Sequence, residues 1–112
     1  MVQRVTPLGS AFAALGDDTR RGILERLGRG EASISELAAA FGMTLTGMKK
    51  HVQVLEEAGL VTTEKVGRVR RCRLGPRRLD EETEWIARYH RMLADRIDSL
   101  GEFLERTQGD DR

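Results

Sequence analysis

What this chain lacks limits both its fold and its function. Its 112 residues include one cysteine, Cys72, which excludes an internal disulfide and agrees with a reducing compartment. No apolar run approaches the roughly 20 residues that a transmembrane helix needs. The first seven residues lack the apolar core of a signal peptide. We therefore expect a cytoplasmic protein without a membrane segment.

Residues that catalytic and metal sites require are also scarce. The only histidines are His51 and His90, and together with one cysteine they do not supply a four-ligand site within one subunit. The sequence has neither a glycine-rich phosphate loop nor a nucleophile elbow. We expect no enzyme, no bound metal and no cofactor. Two alternatives stay open: nearby arginines could make Cys72 a redox switch instead of a small core residue, and His90 could join carboxylates in a metal site between subunits.

Charge is unevenly distributed along the chain, although the formal net charge is only +1. Residues 1–43 balance to zero, residues 44–78 carry nine basic and three acidic side chains, and residues 79–112 carry five and ten. A basic segment of this density is typical of a nucleic-acid-binding surface, and the acidic end must point away from phosphates. The middle third is therefore the predicted DNA-binding region.

Residues 35–58 have the pattern of a helix-turn-helix. Ser35 is the predicted cap of the first helix, Gly42 takes the turn, and Thr44 caps the second helix. A helical repeat that starts at position 45 gives the second helix one apolar and one polar face. The apolar face comprises Leu45, Met48, Val52 and Leu55, and the polar face Thr46, Lys50, Gln53 and Glu57. Such a polar face suits a helix whose N-terminal end enters a major groove.

After Gly59 the pattern changes from helical to alternating. Residues 60–66 and 68–74 are strand-like and meet at Gly67, which predicts a β-hairpin. A hairpin directly after a helix-turn-helix is a wing, whose arginines can reach phosphates or a minor groove. Side chains alternate between the two faces of a strand, so only some of these arginines can face DNA. We favour Arg68 at the tip, then Arg70. The full set of predicted DNA-contacting residues is Thr44, Thr46, Gly47, Lys49, Lys50, Gln53, Arg68 and Arg70.

Residues 80–106 predict one long helix with a continuous apolar stripe. This stripe exceeds what a domain of this size can cover, so the same helix of a second copy is the expected partner, aided by a short apolar helix over residues 8–15. The predicted dimer interface comprises Phe12, Ile86, Tyr89, Leu93, Ile97 and Leu100. The expected fold is a single domain over residues 1–112, mostly α with a small β-hairpin wing, dimeric through its terminal helices.

Several segments, in this order, resemble the ArsR family of bacterial winged-helix repressors. They are residues 14–24, 34–38, 48–55, 57–61 and 67–74. The resemblance implies a homodimer that binds an inverted-repeat operator in double-stranded DNA, with repression relieved by a ligand, a metal or an oxidant. The cysteines and Asp/His/Glu clusters of the metal sensors are missing, so the chain resembles the non-metal branch, whose small-molecule inducers are mostly unidentified.

An alternative function and a departure from the family pattern at position 47 accompany this resemblance. A winged helix could use its apolar stripe and basic face to bind an acidic protein without reading DNA. Gly47 stands where the family often has a side chain. A glycine inside a helix costs up to about 1 kcal/mol relative to alanine, and close approach of the backbone to DNA is a possible compensation.

Overall fold

A computed structural model describes residues 7–110, with side chains described through Thr107. The predicted absence of a signal peptide concerns residues that lie mostly before this range. The elements in order are α1 (Pro7–Leu15), α2 (Asp18–Leu27), β1 (Ala32–Ser33), α3 (Ile34–Ala40), α4 (Leu45–Glu57), β2 (Val61–Val66), β3 (Val69–Leu74) and α5 (Asp80–Asp110). The chain divides into two compact units, of which the first ends at Leu79 and the second begins at Asp80. No helix within residues 7–110 is long and apolar enough to cross a membrane.

The first unit is built around a core to which helices and sheet both contribute. Its largest fully buried side chains are Ile23 of α2, Leu37 of α3, Met48 and Leu55 of α4, and Cys72 of β3. Burial of a side chain such as leucine or methionine contributes about 1.5–3 kcal/mol. Because α4 supplies two of the five, the core fixes the orientation of the helix that the sequence predicts to read DNA.

The wing is part of a three-stranded antiparallel sheet with the order β1-β3-β2. β2 and β3 pair from Val61 opposite Leu74 to Val66 opposite Val69. Gly67 begins the two-residue turn with a φ of +65°, a left-handed value that glycine adopts without steric cost. The predicted hairpin and its turn are therefore confirmed, as is the mostly helical fold. Strand β1, which has two residues, was not predicted because two residues show no alternation.

The helix-turn-helix consists of α3 and α4, and one of its predicted caps was wrong. The N-cap of α3 is Ser33, whose Oγ accepts a hydrogen bond from the N–H of Glu36 at 3.0 Å. Ser35 lies inside the helix and is exposed. The helix starts earlier than predicted because Ser33 is extended in β1 and pairs with β3, so the first helical residue follows directly. The predicted turn conformation of Gly42, with a φ of +62°, is confirmed.

The cap of α4 agrees with the sequence prediction. Thr44 is extended, and its Oγ1 accepts a hydrogen bond from the N–H of Gly47 at 3.1 Å. A Cβ added at Gly47 would lie 3.1 Å from that same Oγ1, which is closer than most such contacts. The missing side chain at position 47 therefore also relieves crowding at the cap.

The second unit is the single helix α5, which continues past the predicted end to Asp110. With 31 residues it is about 46 Å long. Its first turn carries acidic side chains, which interact favourably with the positive N-terminal end of the helix dipole. The Trp85 and Tyr89 rings stack with centroids 5.7 Å apart. The side chains of the apolar stripe are 44–61% exposed, and they are Trp85, Ile86, Tyr89, Met92, Leu93, Ile97, Leu100, Phe103 and Leu104.

We expect Ser33→Ala to lower the free energy of unfolding by about 1 kcal/mol, because an N–H of the first turn of α3 loses its partner. The matched control is Ser35→Ala, which removes the same hydroxyl from an exposed position and should change stability by less than about 0.5 kcal/mol. Urea denaturation followed by circular dichroism measures both values. Equal losses would show that Ser33 is not the functional cap.

Candidate nucleic-acid interface

A cleft of about 620 Å³ lies between α4 and the hairpin of β2 and β3. Its lining includes four basic side chains, Lys49 from α4 and Lys65, Arg68 and Arg70 from the hairpin. The only acidic side chain in the lining is Glu56. The cleft therefore has a strong excess of positive charge, which attracts phosphate groups and is weakened by salt.

The wall that α4 contributes contains three side chains spaced one turn apart. Leu45, Lys49 and Gln53 all line the cleft and are all exposed. The prediction that Leu45 packs inward was wrong, because this side chain is 45% exposed. At about 100° per residue Leu45 lies at the edge of the apolar arc, on the same line as Lys49, and as the first helical residue it has no preceding turn to cover it.

The amide of Gln53 has one defined partner within α4. Its Nε2 donates a hydrogen bond to Oε1 of Glu57 at 3.2 Å, one helical turn later. The side chain retains its carbonyl acceptor and a second amide hydrogen, which are the groups that a glutamine uses to bind adenine in the major groove. Glu57 therefore orients Gln53 without consuming its capacity to read a base.

A short hydrogen-bond network links the hairpin to α4. The Nη1 of Arg70 donates to Oγ1 of Thr63 at 2.9 Å, and the Thr63 hydroxyl donates to Oε2 of Glu56. These three residues belong to β3, β2 and α4 and all line the cleft, so the network joins the hairpin to the helix across it. Arg70 thus has an internal role in addition to the predicted contact with DNA.

The remaining arginines of β3 lie on the other face of the strand. The Nε of Arg71 is 3.6 Å from Oε2 of Glu31, and the Nη1 of Arg73 is 3.9 Å from Oε2 of Glu64. Partly exposed ion pairs of this kind contribute little to stability. These ion pairs matter for the charge of the cleft. Two of the basic side chains counted in the sequence face carboxylates outside the cleft and do not add to its positive charge.

Two further arginines hold the helices of the first unit together. Arg77 donates to the backbone carbonyl oxygens of Ala58, at 2.9 Å, and Pro7, at 2.8 Å. Arg20 donates to two carbonyls at the end of α1, at 2.8 and 2.9 Å, and its Nη1 is 3.4 Å from Nδ1 of His51 in α4. Arg77 is thus a structural residue, and His51 contacts α2 through Arg20.

The predicted DNA-contacting residues fall into two groups. Lys49, Gln53, Arg68 and Arg70 line the cleft. Thr44, Thr46, Gly47 and Lys50 belong to the first two turns of α4 or its cap, and all except the half-buried glycine are exposed. Contact between these eight residues and DNA stays a prediction. Lys65 was missed, although strand alternation gives it the parity of Thr63, and Leu45 was missed because it was assigned to the core.

Cys72 is fully buried in β3. Burial raises the pKa of its thiol, the carboxylate of Glu56 raises it further, and Arg70 acts in the opposite direction. A raised pKa reduces the thiolate fraction at neutral pH, so this environment favours a core residue over a redox switch. Within the described part of the chain, no group of three or more histidine, cysteine, aspartate or glutamate residues could hold a metal ion.

Comparison with known proteins agrees with this geometry. A family model described as a helix-turn-helix domain matches residues 15–64. The uncharacterized HTH-type transcriptional regulator YuzN of Bacillus subtilis is 42% identical over 66 residues, which cover 53% of this chain and 72% of that protein. A crystal structure of an ArsR family transcriptional regulator is 39% identical with a TM-score of 0.72, covering 84% of this chain and 97% of that one. The chain belongs to the ArsR family.

A third relative adds information on assembly. The homodimeric winged helix-turn-helix DNA-binding domain from Mycobacterium bovis, solved in solution, is 27% identical with a TM-score of 0.59, covering 80% of this chain and 79% of that one.

As an ArsR-family protein, the present chain is a DNA-binding transcriptional regulator and not an enzyme, as the sequence predicted.

We expect Arg68→Ala to weaken binding to every duplex and to lower the salt dependence of binding by about one ion, because an arginine that contacts phosphate or a minor groove adds mainly salt-dependent affinity. The control is Arg73→Ala, which removes the same charge from the opposite face of the hairpin. Affinities measured by fluorescence anisotropy at several salt concentrations give both slopes. Unchanged affinity and slope for Arg68→Ala would exclude the wing tip from the interface.

Proposed function

We propose that this regulator is a homodimeric repressor that binds an inverted-repeat operator, with α4 of each subunit in a major groove and the hairpin at the flank. The observation that carries this proposal is the basic cleft beside the exposed face of α4. Four basic side chains and one carboxylate line it, together with an amide that can bind a base. Relief of repression by a small-molecule inducer is carried over from the family resemblance alone.

Within this proposal different side chains of α4 contact the DNA backbone and the bases. The exposed hydroxyls of Thr44 and Thr46, at the N-terminal end, position the helix on the sugar-phosphate backbone. Lys49 and Lys50 donate to phosphates or to guanine, and Gln53 binds a base edge. Gly47 lets the backbone approach the duplex closely. Arg68, with Arg70 second, contributes mainly salt-dependent affinity.

The proposed dimer is based on the exposed stripe of α5. A two-fold axis places the same apolar face of two subunits against each other, so one stripe is sufficient for both sides of the interface. Exposed apolar side chains extend from Trp85 to Leu104, which is about five turns of helix. The M. bovis relative is homodimeric, which supports a dimer without identifying the interface. The proposed interface includes Ile86, Tyr89, Leu93, Ile97 and Leu100 of α5, with Phe12 of α1.

Selection of bound duplexes from a random pool tests the operator directly. We expect an inverted repeat whose half-site centres are about 34 Å, or about 10 base pairs, apart, because two-fold-related helices must enter successive major grooves on one side of the duplex. Binding to this duplex should be at least about 10³-fold tighter than to random DNA. Equal and weak binding to all duplexes would instead support the alternative of a protein-interaction module.

We expect Leu93→Glu to give a monomer that binds operator poorly, because the dimer would bury an unpaired carboxylate on each side of its two-fold axis. A monomer keeps only one half-site and loses the contribution of the second. The control is Arg91→Glu, which introduces the same acid on the opposite face of α5 and should remain dimeric. Sedimentation gives the oligomeric state, and circular dichroism verifies that both variants fold. A dimeric Leu93→Glu, or a monomer with full operator affinity, would contradict this assembly.

A further inference from the structure

We propose that Leu45 reads the methyl group of a thymine in each operator half-site. The inference rests on the proposed function, because it requires α4 to enter a major groove. It adds to the predicted set a residue that contributes sequence preference through apolar contact alone. The observation that points to it is an exposed leucine at the N-terminal end of the helix that carries the DNA-facing side chains.

The position of Leu45 is the first part of the argument. It is the first residue of α4, and recognition helices contact base edges mainly through their N-terminal residues. Leu45 also begins the line that continues through Lys49 and Gln53 along the wall of the cleft. Any duplex that Gln53 and Lys49 contact through this face of the helix therefore passes close to Leu45.

The surroundings of Leu45 show that the core does not require its side chain. The next apolar residues of α4, Met48 and Val52, are 0% and 3% exposed, whereas Leu45 is 45% exposed. About half of a leucine side chain thus faces the cleft among basic and amide groups. The cap that Thr44 forms with the N–H of Gly47 orders this first turn, so the backbone that carries the Leu45 side chain is fixed before DNA binds.

The chemistry of the major groove then limits what Leu45 can recognise. A leucine has no donor or acceptor, so it gains nothing from the N7, O6, O4 or amino groups that the base pairs present. The one apolar group on a base edge is the C5-methyl of thymine. Contact with that methyl removes apolar surface of both partners from water, and no other base offers this gain.

Deoxyuridine provides a direct test because it differs from thymidine only by this methyl group. In the selected operator, each thymine is replaced by uracil symmetrically in both half-sites, and affinities are measured for the wild type, Leu45→Ala and Leu74→Ala. Burial of one methyl contributes about 0.8 kcal/mol, which is about fourfold in affinity. We expect uracil at one position to weaken the wild type by about fourfold per half-site. For Leu45→Ala the two duplexes should bind equally at that position.

Leu74→Ala is the matched control, since Leu74 is 46% exposed and does not belong to the cleft lining. It should keep the full effect of the methyl group. Alanine is the best helix former, so Leu45→Ala leaves α4 intact. An operator bound specifically, with a methyl effect that Leu45→Ala does not alter at any thymine, would overturn this inference and leave the proposed function standing. Failure of the selection to yield any specific duplex would overturn both.

Discussion

Burial of one face of α4 is the constraint on which the rest of the interface depends. Met48 and Leu55 are fully buried in a cluster that also contains residues of α1, α2, α3 and the sheet, so the helix can neither rotate nor slide without opening the core. The opposite face is consequently presented in a single orientation. A rigid helix loses little conformational entropy on binding, so its contacts with bases contribute more fully to affinity.

The hairpin is held to this helix by a second, polar constraint. The network of Arg70, Thr63 and Glu56 links the wing to α4, and it includes the one acidic side chain of the cleft lining. Glu56 would otherwise repel phosphates at the end of the helix. The Thr63 hydroxyl binds this carboxylate, and Arg70 binds that hydroxyl in turn, which reduces the repulsion of phosphates. Lys49, Lys65 and Arg68 then determine the local electrostatic potential.

The sequence predicted those elements whose residues repeat with a clear period, and it failed where tertiary contacts decide. The turns at Gly42 and Gly67 were predicted because glycine readily adopts a left-handed φ, and both residues do so in the structure. The sequence predicted Ser35 as the cap instead of Ser33, because the pairing of two residues with β3 leaves no local pattern. Leu45 was assigned to the core because a helical wheel cannot tell a buried edge from an exposed one. Leu79, with a φ of +61°, is a non-glycine exception that no sequence rule anticipates.

In the proposed interface, affinity and sequence specificity come from different side chains. The distribution of charge along the sequence predicted the basic region. Three of its arginines, Arg71, Arg73 and Arg77, bind carbonyls or face carboxylates, so charge counted along the sequence overstates the number of side chains available to phosphates. The cations that remain at the cleft attract any duplex equally, because phosphates carry no sequence information. Discrimination among duplexes then depends on the few α4 side chains that can reach base edges. In the proposed interface the amide of Gln53 binds a base edge and the side chain of Leu45 contacts a thymine methyl. These are different atoms of the groove, so the two proposed contacts together define a sequence more narrowly than the basic cleft can.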